Sequence, residues 1–256
     1  MPQTITVSSS AKKQVLIVFI GLLLPVIATA QPTPSSRRSL QKELQSAKST
    51  LRDWPDLARY QASDKELGPV AKGEARVVFL GDSITEGWDM ADFFPGKPYV
   101  NRGISGQTTP QILLRFRQDV IALQPKAVVI LAGTNDIAEN TGPITIAAIE
   151  DNLMSMAELA RANGIRVVLS SVLPAAAYWW QPHIQPAEKI LALNTWMKEY
   201  AEKEGFVFLD YYSTTVNTKR GLKDELTTDG VHPNRAGYAL MRVLAEKAIT
   251  DVLGRN

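Results

Sequence analysis

Ser83 follows the apolar run Val77-Val78-Phe79-Leu80 and the pair Gly81-Asp82, and a helix-like segment starts at the serine. A serine hydroxyl is a weak nucleophile unless a neighbouring base takes its proton. The chain has no cysteine and two histidines, His183 and His232, so candidates for that base are few. His232 lies in Asp229-Gly230-Val231-His232-Pro233, with an aspartate three residues before it in a turn-rich segment. That spacing lets the carboxylate reach Nδ1 and leaves Nε2 free to take a serine proton. Such a trio performs acyl transfer, provided that hydrogen-bond donors face the developing alkoxide.

The elements that must position these groups are legible as alternating patterns. Short β-branched runs predict strands at Val77–Leu80, Tyr99–Asn101, Ala127–Leu131, Val167–Ser170 and Val207–Leu209. Helical spacing predicts segments near Thr109–Leu123, Ile144–Asn163 and Pro186–Glu204, and a last helix from about Asn234 to Leu253. Alternation of this kind argues an α/β fold, a parallel sheet covered by helices on both faces. Ligands in that architecture sit beyond the C-terminal ends of the strands. The polar blocks fall there. Asn101-Arg102-Gly103-Ile104-Ser105-Gly106-Gln107-Thr108-Thr109 follows the second strand, and Gly133-Thr134-Asn135-Asp136 follows the third.

These blocks, in this order, resemble the GDSL esterases, or SGNH hydrolases, over roughly residues 76–253. The first block reads Gly-Asp-Ser-Ile, with isoleucine in place of leucine, a swap that keeps apolar volume. The resemblance implies a three-layer α/β/α sandwich with a central parallel sheet, of the flavodoxin-like SGNH hydrolase type. It implies Ser83 as nucleophile, His232 as base, Asp229 as its orienter, and Gly106 and Asn135 as oxyanion donors beside the Ser83 N–H. Gly103 is the alternative backbone donor, since either glycine lacks a Cβ to block a substrate. The Gly106-Gln107-Thr108 sequence fits the family's second block and favours Gly106. A different serine-hydrolase placement, the Gly-x-Ser-x-Gly elbow, is disfavoured because Thr85 stands two residues after Ser83.

The same residues also suit blander roles. Ser83 suits a helix cap. Asp82 and Asp136 read first as residues that satisfy backbone groups in turns. Tyr178-Trp179-Trp180-Gln181-Pro182-His183 should form a loop over the C-terminal edge of the sheet. It reads either as an exposed loop whose aromatics pack as the base of a lid, or as a substrate-contacting wall of Tyr178, Trp179, Trp180 and His183. Trp88 and Phe93–Phe94 are further candidates for setting specificity. The two histidines have no cluster at metal-ligand spacing around them, and no phosphate-cradling glycine motif occurs, so neither metal nor nucleotide cofactor is indicated.

The N-terminus is a separate matter. Lys12 and Lys13 precede an apolar run, Val15–Ile27, and then Ala28-Thr29-Ala30. This is the pattern of a secretory signal peptide cleaved before Gln31, the run being short for a membrane span of about 20 residues. The full chain carries 28 basic and 26 acidic residues, so loss of residues 1–30, with two lysines and no acid, leaves the charges balanced. A balanced chain does not favour nucleic acid or an anionic membrane surface as partner. Without cysteine there is neither a disulfide nor a lipid-modified cysteine. Residues 31–39 read as a flexible N-terminus and 40–74 as a helical arm, with one helix carrying Leu40, Leu44, Ala47 and Leu51 and another from Pro55 to about Lys65. Residues 75–256 make the hydrolase domain.

The function expected is that of a secreted or periplasmic serine esterase that needs no cofactor. Its substrates would be short-chain esters, acetyl foremost, carried by a carbohydrate. The alternatives are a thioesterase or lysophospholipase acting on longer chains, and a non-catalytic glycan-binding module on the same scaffold.

Overall fold

The structure, a computed structural model, describes residues 33–254; the leader expected at residues 1–30 lies outside them. The chain divides into two units, one ending at Leu44 and one starting at Gln45. Helix α1 (Pro34–Arg52) begins in the first and ends in the second. It starts within the stretch expected to be flexible. Its Leu40, Leu44 and Leu51 are 56%, 55% and 86% exposed.

The second unit holds everything else. After α2 (Gln61–Leu67), the sheet strands are β1 (Val77–Gly81), β2 (Tyr99–Gly103), β3 (Ala127–Leu131), β4 (Arg166–Ser170) and β5 (Val207–Leu209). All pair in parallel, in the order β2-β1-β3-β4-β5. The five predicted strands match these to within two residues at any end. Between them run α3 (Ser83–Glu86), α4 (Met90–Phe93), α5 (Thr109–Asp119), α6 (Thr134–Ile137), α7 (Ile146–Ala162), α8 (Ala187–Glu204), α9 (Tyr212–Thr215) and α10 (Arg235–Gly254).

β-strand side chains alternate between faces, and so β1 feeds two cores. Val78 and Leu80 join Ile112 and Phe116 of α5, Ile149 and Leu153 of α7, and Leu193 of α8. Val77 and Phe79 join Tyr238, Met241 and Ala245 of α10. This is the three-layer α/β/α sandwich. β1 lies between β2 and β3, so consecutive connections leave it toward opposite edges, and a crevice opens beyond the C-terminal ends of β1 and β3.

Local chemistry sets the elements that border that crevice. Thr108 and Gln111 form a reciprocal capping box at the start of α5, with Pro110 in the first turn. Gly133, at φ 124°, admits the turn from β3 into α6; a Cβ there would lie 2.9 Å from Leu193 Cδ2. Asn234 Oδ1 accepts the Gly237 N–H at 3.0 Å to open α10. The Tyr238 hydroxyl donates to the Ile84 carbonyl at 2.9 Å, which ties α10 to the short helix that begins with Ser83.

Candidate active site

Ser83, at the first position of α3, is delivered by β1 through a junction that leaves no room for a side chain at position 81. A Cβ on Gly81 would lie 2.2 Å from Thr85 Oγ1 and 2.5 Å from the Leu131 carbonyl. Asp82 caps α3 by accepting the Ile84 N–H at 3.0 Å. Burial pushes its carboxyl up to about 7, against the pull of that bond and of His232. Asp82 thus takes the turn role that its position suggested.

His232 Nε2 lies 2.9 Å from Ser83 Oγ, and His232 Nδ1 lies 2.7 Å from Asp229 Oδ2. An ionised carboxylate only accepts, so Nδ1 carries the ring proton and Nε2 presents its lone pair to the serine. Asp229 Oδ1 also accepts the main-chain N–H groups of His232 and Val231, at 2.8 and 3.0 Å. Burial raises the Asp229 carboxyl, but these bonds and the imidazole outweigh it and hold it at about 2. The segment is shaped by Thr227, whose Oγ1 donates to the His232 carbonyl at 2.7 Å and accepts the Gly230 N–H at 3.0 Å. Gly230 takes φ 84° in this turn. Thr227 carried no signal in the sequence beyond its nearness to Asp229.

Gly106 lies within the loop after β2, at φ 77°, with open space where a Cβ would point. Gly103, the rival donor, is hemmed in: a Cβ there would lie 2.1 Å from the Glu86 nitrogen. Its own N–H is bonded to Asn101 Oδ1 at 2.8 Å. Asn135, in the first turn of α6, is buried, and its Nδ2 donates to the Gln107 carbonyl at 3.0 Å. That bond takes one of the two Nδ2 hydrogens and leaves the other available. Among the described residues, the Ser83 and Gly106 N–H groups donate to no protein atom. Asp136 turns inward and accepts the Thr109 N–H and hydroxyl, at 2.9 and 2.6 Å, pinning α5 to α6.

The loop after β2 is held by residues that the sequence did not single out. Arg115, buried in α5, donates from Nε to Gln107 Oε1 at 2.6 Å and from its two terminal nitrogens to the carbonyls of Arg102 and Gly81. It is also paired with Asp119 at 2.8 Å. One guanidinium therefore links the ends of β1 and β2 to the Gly106 loop. The available signal was an Arg/Asp pair four apart on the apolar face of a helix, where an unpaired charge would be costly. Gln107 Nε2 reaches the Pro55 carbonyl at 2.7 Å and Gln111 Nε2 the Trp54 carbonyl at 2.8 Å, so residues 54–55 brace the same loop from outside.

The aromatic candidates separate into two groups. Trp88 is 2% exposed, packed against Phe79, Phe94 and Tyr238, and Phe94 is equally buried. Tyr178 is wholly buried, its hydroxyl 2.8 Å from Thr134 Oγ1. These rings fill the core and present no face to a ligand, which corrects the expectation that Trp88 and Tyr178 contact substrate. Phe93 is half-buried, with the Arg235 guanidinium over its ring. Trp179 is 69% exposed, set edge-on to the half-buried Trp180. His183 is exposed too, and Ser83 is bonded to the other histidine. Among the described residues no group of three or more His, Cys, Asp or Glu could hold a metal ion, and no helix is long and apolar enough to cross a membrane.

Residues 79–240 match the GDSL-like Lipase/Acylhydrolase family. The fold is similar to that of a GDSL-like lipase from Bacteroides thetaiotaomicron, with TM-score 0.75 and 47% identity over 77% of this chain and 98% of that one. Esterase TesA of Pseudomonas aeruginosa is 29% identical over 168 residues, 63% of this chain and 77% of its own. YqeF, an uncharacterized lipoprotein of Bacillus subtilis, is 33% identical over 126 residues, 42% of this chain; the match spans about half of that relative's length, 52%.

Proposed function

As this chain belongs to the GDSL-like lipase/acylhydrolase family, and so to the serine hydrolases that cleave ester bonds, we propose that it is an exported esterase of short-chain esters, acetyl esters of carbohydrates foremost. The observation that carries the catalytic reading is the line Ser83 Oγ, His232 Nε2, His232 Nδ1, Asp229 Oδ2, with gaps of 2.9 and 2.7 Å.

The proposed reaction follows from that line. Ser83 Oγ attacks the ester carbonyl carbon as its proton passes to His232 Nε2. The imidazolium that forms is stabilised by Asp229, which stays ionised far below neutral pH. The carbonyl oxygen becomes an alkoxide facing the Ser83 N–H, the Gly106 N–H and the spare Asn135 N–H. Collapse expels the alcohol, which takes the proton back from Nε2, and leaves an acyl-serine. Water, deprotonated by the same nitrogen, then attacks the acyl-serine; the acyl–Oγ bond breaks, Nε2 returns the proton to Ser83 Oγ, and the acid is released.

Two features support the substrate reading. The aromatic cluster of Phe79, Trp88, Phe94 and Tyr238 is filled by its own rings, so it offers no slot for a long acyl chain. A polar groove of about 450 Å³, lined by Arg52, Asp53, Trp54, Ser105, Gln107 and Gln111 among others, borders the Gly106 loop. One part-exposed tryptophan among hydroxyl, amide and charged groups suits a sugar, which offers both C–H faces and hydroxyls. The leader pattern of residues 1–30 supports export.

The test is turnover of 4-nitrophenyl acetate, butyrate and octanoate and of acetylated xylan by wild type and Ser83→Ala. We expect hydrolysis that falls with chain length and is lost in the variant. Equal rates in both proteins would overturn the esterase reading. Rates rising toward octanoate would replace the short-chain reading with a lysophospholipase or thioesterase one.

A further inference from the structure

We propose that Asn140 is a positioning residue for the oxyanion pocket, aligning the Asn135 amide and the Gly106 loop, and that Trp180 holds it in place. The inference rests on the reading of Asn135 as an oxyanion donor.

Asn140 ends the segment that carries Asn135. Its own N–H donates to the Asn135 carbonyl at 3.0 Å, closing a wide turn. The turn requires Glu139 at φ 58°, a conformation that side-chain-bearing residues seldom adopt. The outcome of that turn is the direction of the Asn140 side chain. Its Nδ2 donates to Asn135 Oδ1 at 2.8 Å and reaches the Gly106 carbonyl at 3.4 Å. The next residue extends the clip, with Thr141 Oγ1 lying 3.2 Å from Thr108 Oγ1. Residues 140–141 thus bind the loop after β2 to the helix after β3, the sources of two of the three proposed donors.

The Asn135 amide is therefore gripped at both ends. The Gln107 carbonyl takes one Nδ2 hydrogen and Asn140 satisfies Oδ1. The first contact decides which end of the amide is nitrogen, and the two together fix its plane. The remaining N–H then has one direction. A donor aligned before the reaction costs no reorganisation when the alkoxide forms, whereas a donor free to rotate does.

Asn140 is itself solvent-exposed, so its orientation needs support. Trp180 supplies it: the indole Nε1–H donates to Asn140 Oδ1 at 2.9 Å. Trp180 packs on Tyr178 with ring centroids 5.0 Å apart, and Tyr178 is anchored on Thr134, the neighbour of Asn135. The aromatic loop thus grips the Asn135 segment at Thr134 and again at Asn140. In this light Trp180 acts through Asn140, while the exposed Trp179 ring is left to meet a ligand.

The test compares Asn135→Ala, Asn140→Ala, Trp180→Phe and the pairwise doubles on 4-nitrophenyl acetate, with thermal melting of each protein. Phenylalanine keeps the ring and removes only the N–H, so Trp180→Phe serves where Asn140→Ala folds poorly. We expect kcat to fall ~100-fold in Asn135→Ala, about 5- to 20-fold in Asn140→Ala and less in Trp180→Phe, with KM within about twofold throughout. We also expect Asn135→Ala/Asn140→Ala to be no slower than Asn135→Ala, because residues acting as one unit are not additive. Wild-type kcat in both Asn140→Ala and Trp180→Phe, with Asn135→Ala still slow, would overturn the role of Asn140 alone. Losses that multiply in the doubles, or that appear in KM, would also overturn it. Wild-type kcat in Asn135→Ala would instead overturn the donor reading beneath it.

Discussion

Asp229 grips His232 twice, at the ring through Oδ2 and at the main chain through Oδ1, at 2.7 and 2.8 Å. A single carboxylate thereby sets the ring's position, its tautomer and the path of the chain that carries it. The gap of three residues in sequence makes this compact: the turn that carries the imidazole is held by the same carboxylate that is bonded to the ring.

Asp229→Asn separates these jobs. Asparagine keeps an oxygen for the His232 and Val231 N–H groups, so the turn survives. It offers no anion to hold the proton on Nδ1, and kcat should drop ~10³- to 10⁴-fold by analogy with the same change in other triads. Circular dichroism and stopped-flow or steady-state rates on 4-nitrophenyl acetate check the two halves of this expectation.

Asp82 makes stability depend on pH. Its carboxyl is raised by burial from 3.8 to about 7. A raised folded value means that the protonated form is the better fit. The stability it contributes is fully present below about pH 4 and is lost as pH rises through 7. Asp82→Asn keeps an acceptor for the Ile84 N–H and has no titration. Urea midpoints at pH 5 and pH 8 should therefore show wild type losing ground to the variant at the higher pH.

The glycines of the first two blocks should respond differently to a methyl group. Gly81→Ala drives a Cβ against Thr85 Oγ1 and the Leu131 carbonyl, and should cost about 3 kcal/mol or more. Gly106→Ala meets nothing within 4 Å and bears only its left-handed φ, roughly 1 kcal/mol. Thermal melts rank the two, and Gly106→Ala should stay folded while losing activity.

Arg115→Met tests the hub beneath the Gly106 loop. The substitution strands the Asp119 carboxylate, buried with its partner gone, and should destabilise by ~3–5 kcal/mol. Arg115→Met/Asp119→Leu removes that stranded charge and should recover part of the stability. It should not recover activity, because the carbonyls of Gly81 and Arg102 and the Gln107 amide lose their common donor all the same. Chemical denaturation and kcat measured together read both effects.

The sequence by itself determined the layered α/β architecture, because short continuous apolar runs alternate with segments at helical spacing, and a parallel sheet covered on both faces buries both. It also pointed to Ser83, His232 and Asp229 as a proposed trio, since histidine is scarce and the aspartate lies three residues before it, and the three side chains are hydrogen-bonded in series. Local chemistry sufficed for Asp82, which caps the helix next to it. What only the tertiary structure decided are relations across long separations. Trp88 and Tyr178 have the composition of ligand-binding aromatics, and the packing of distant rings around them makes them core. Arg115, Gln107, Asn140 and Trp180 draw their meaning from carbonyls and amides that lie 5 to 52 positions away in the chain. Hydrogen bonds of that kind leave no periodic trace in a single sequence, and they join the Gly106 loop to the Asn135 segment beside Ser83.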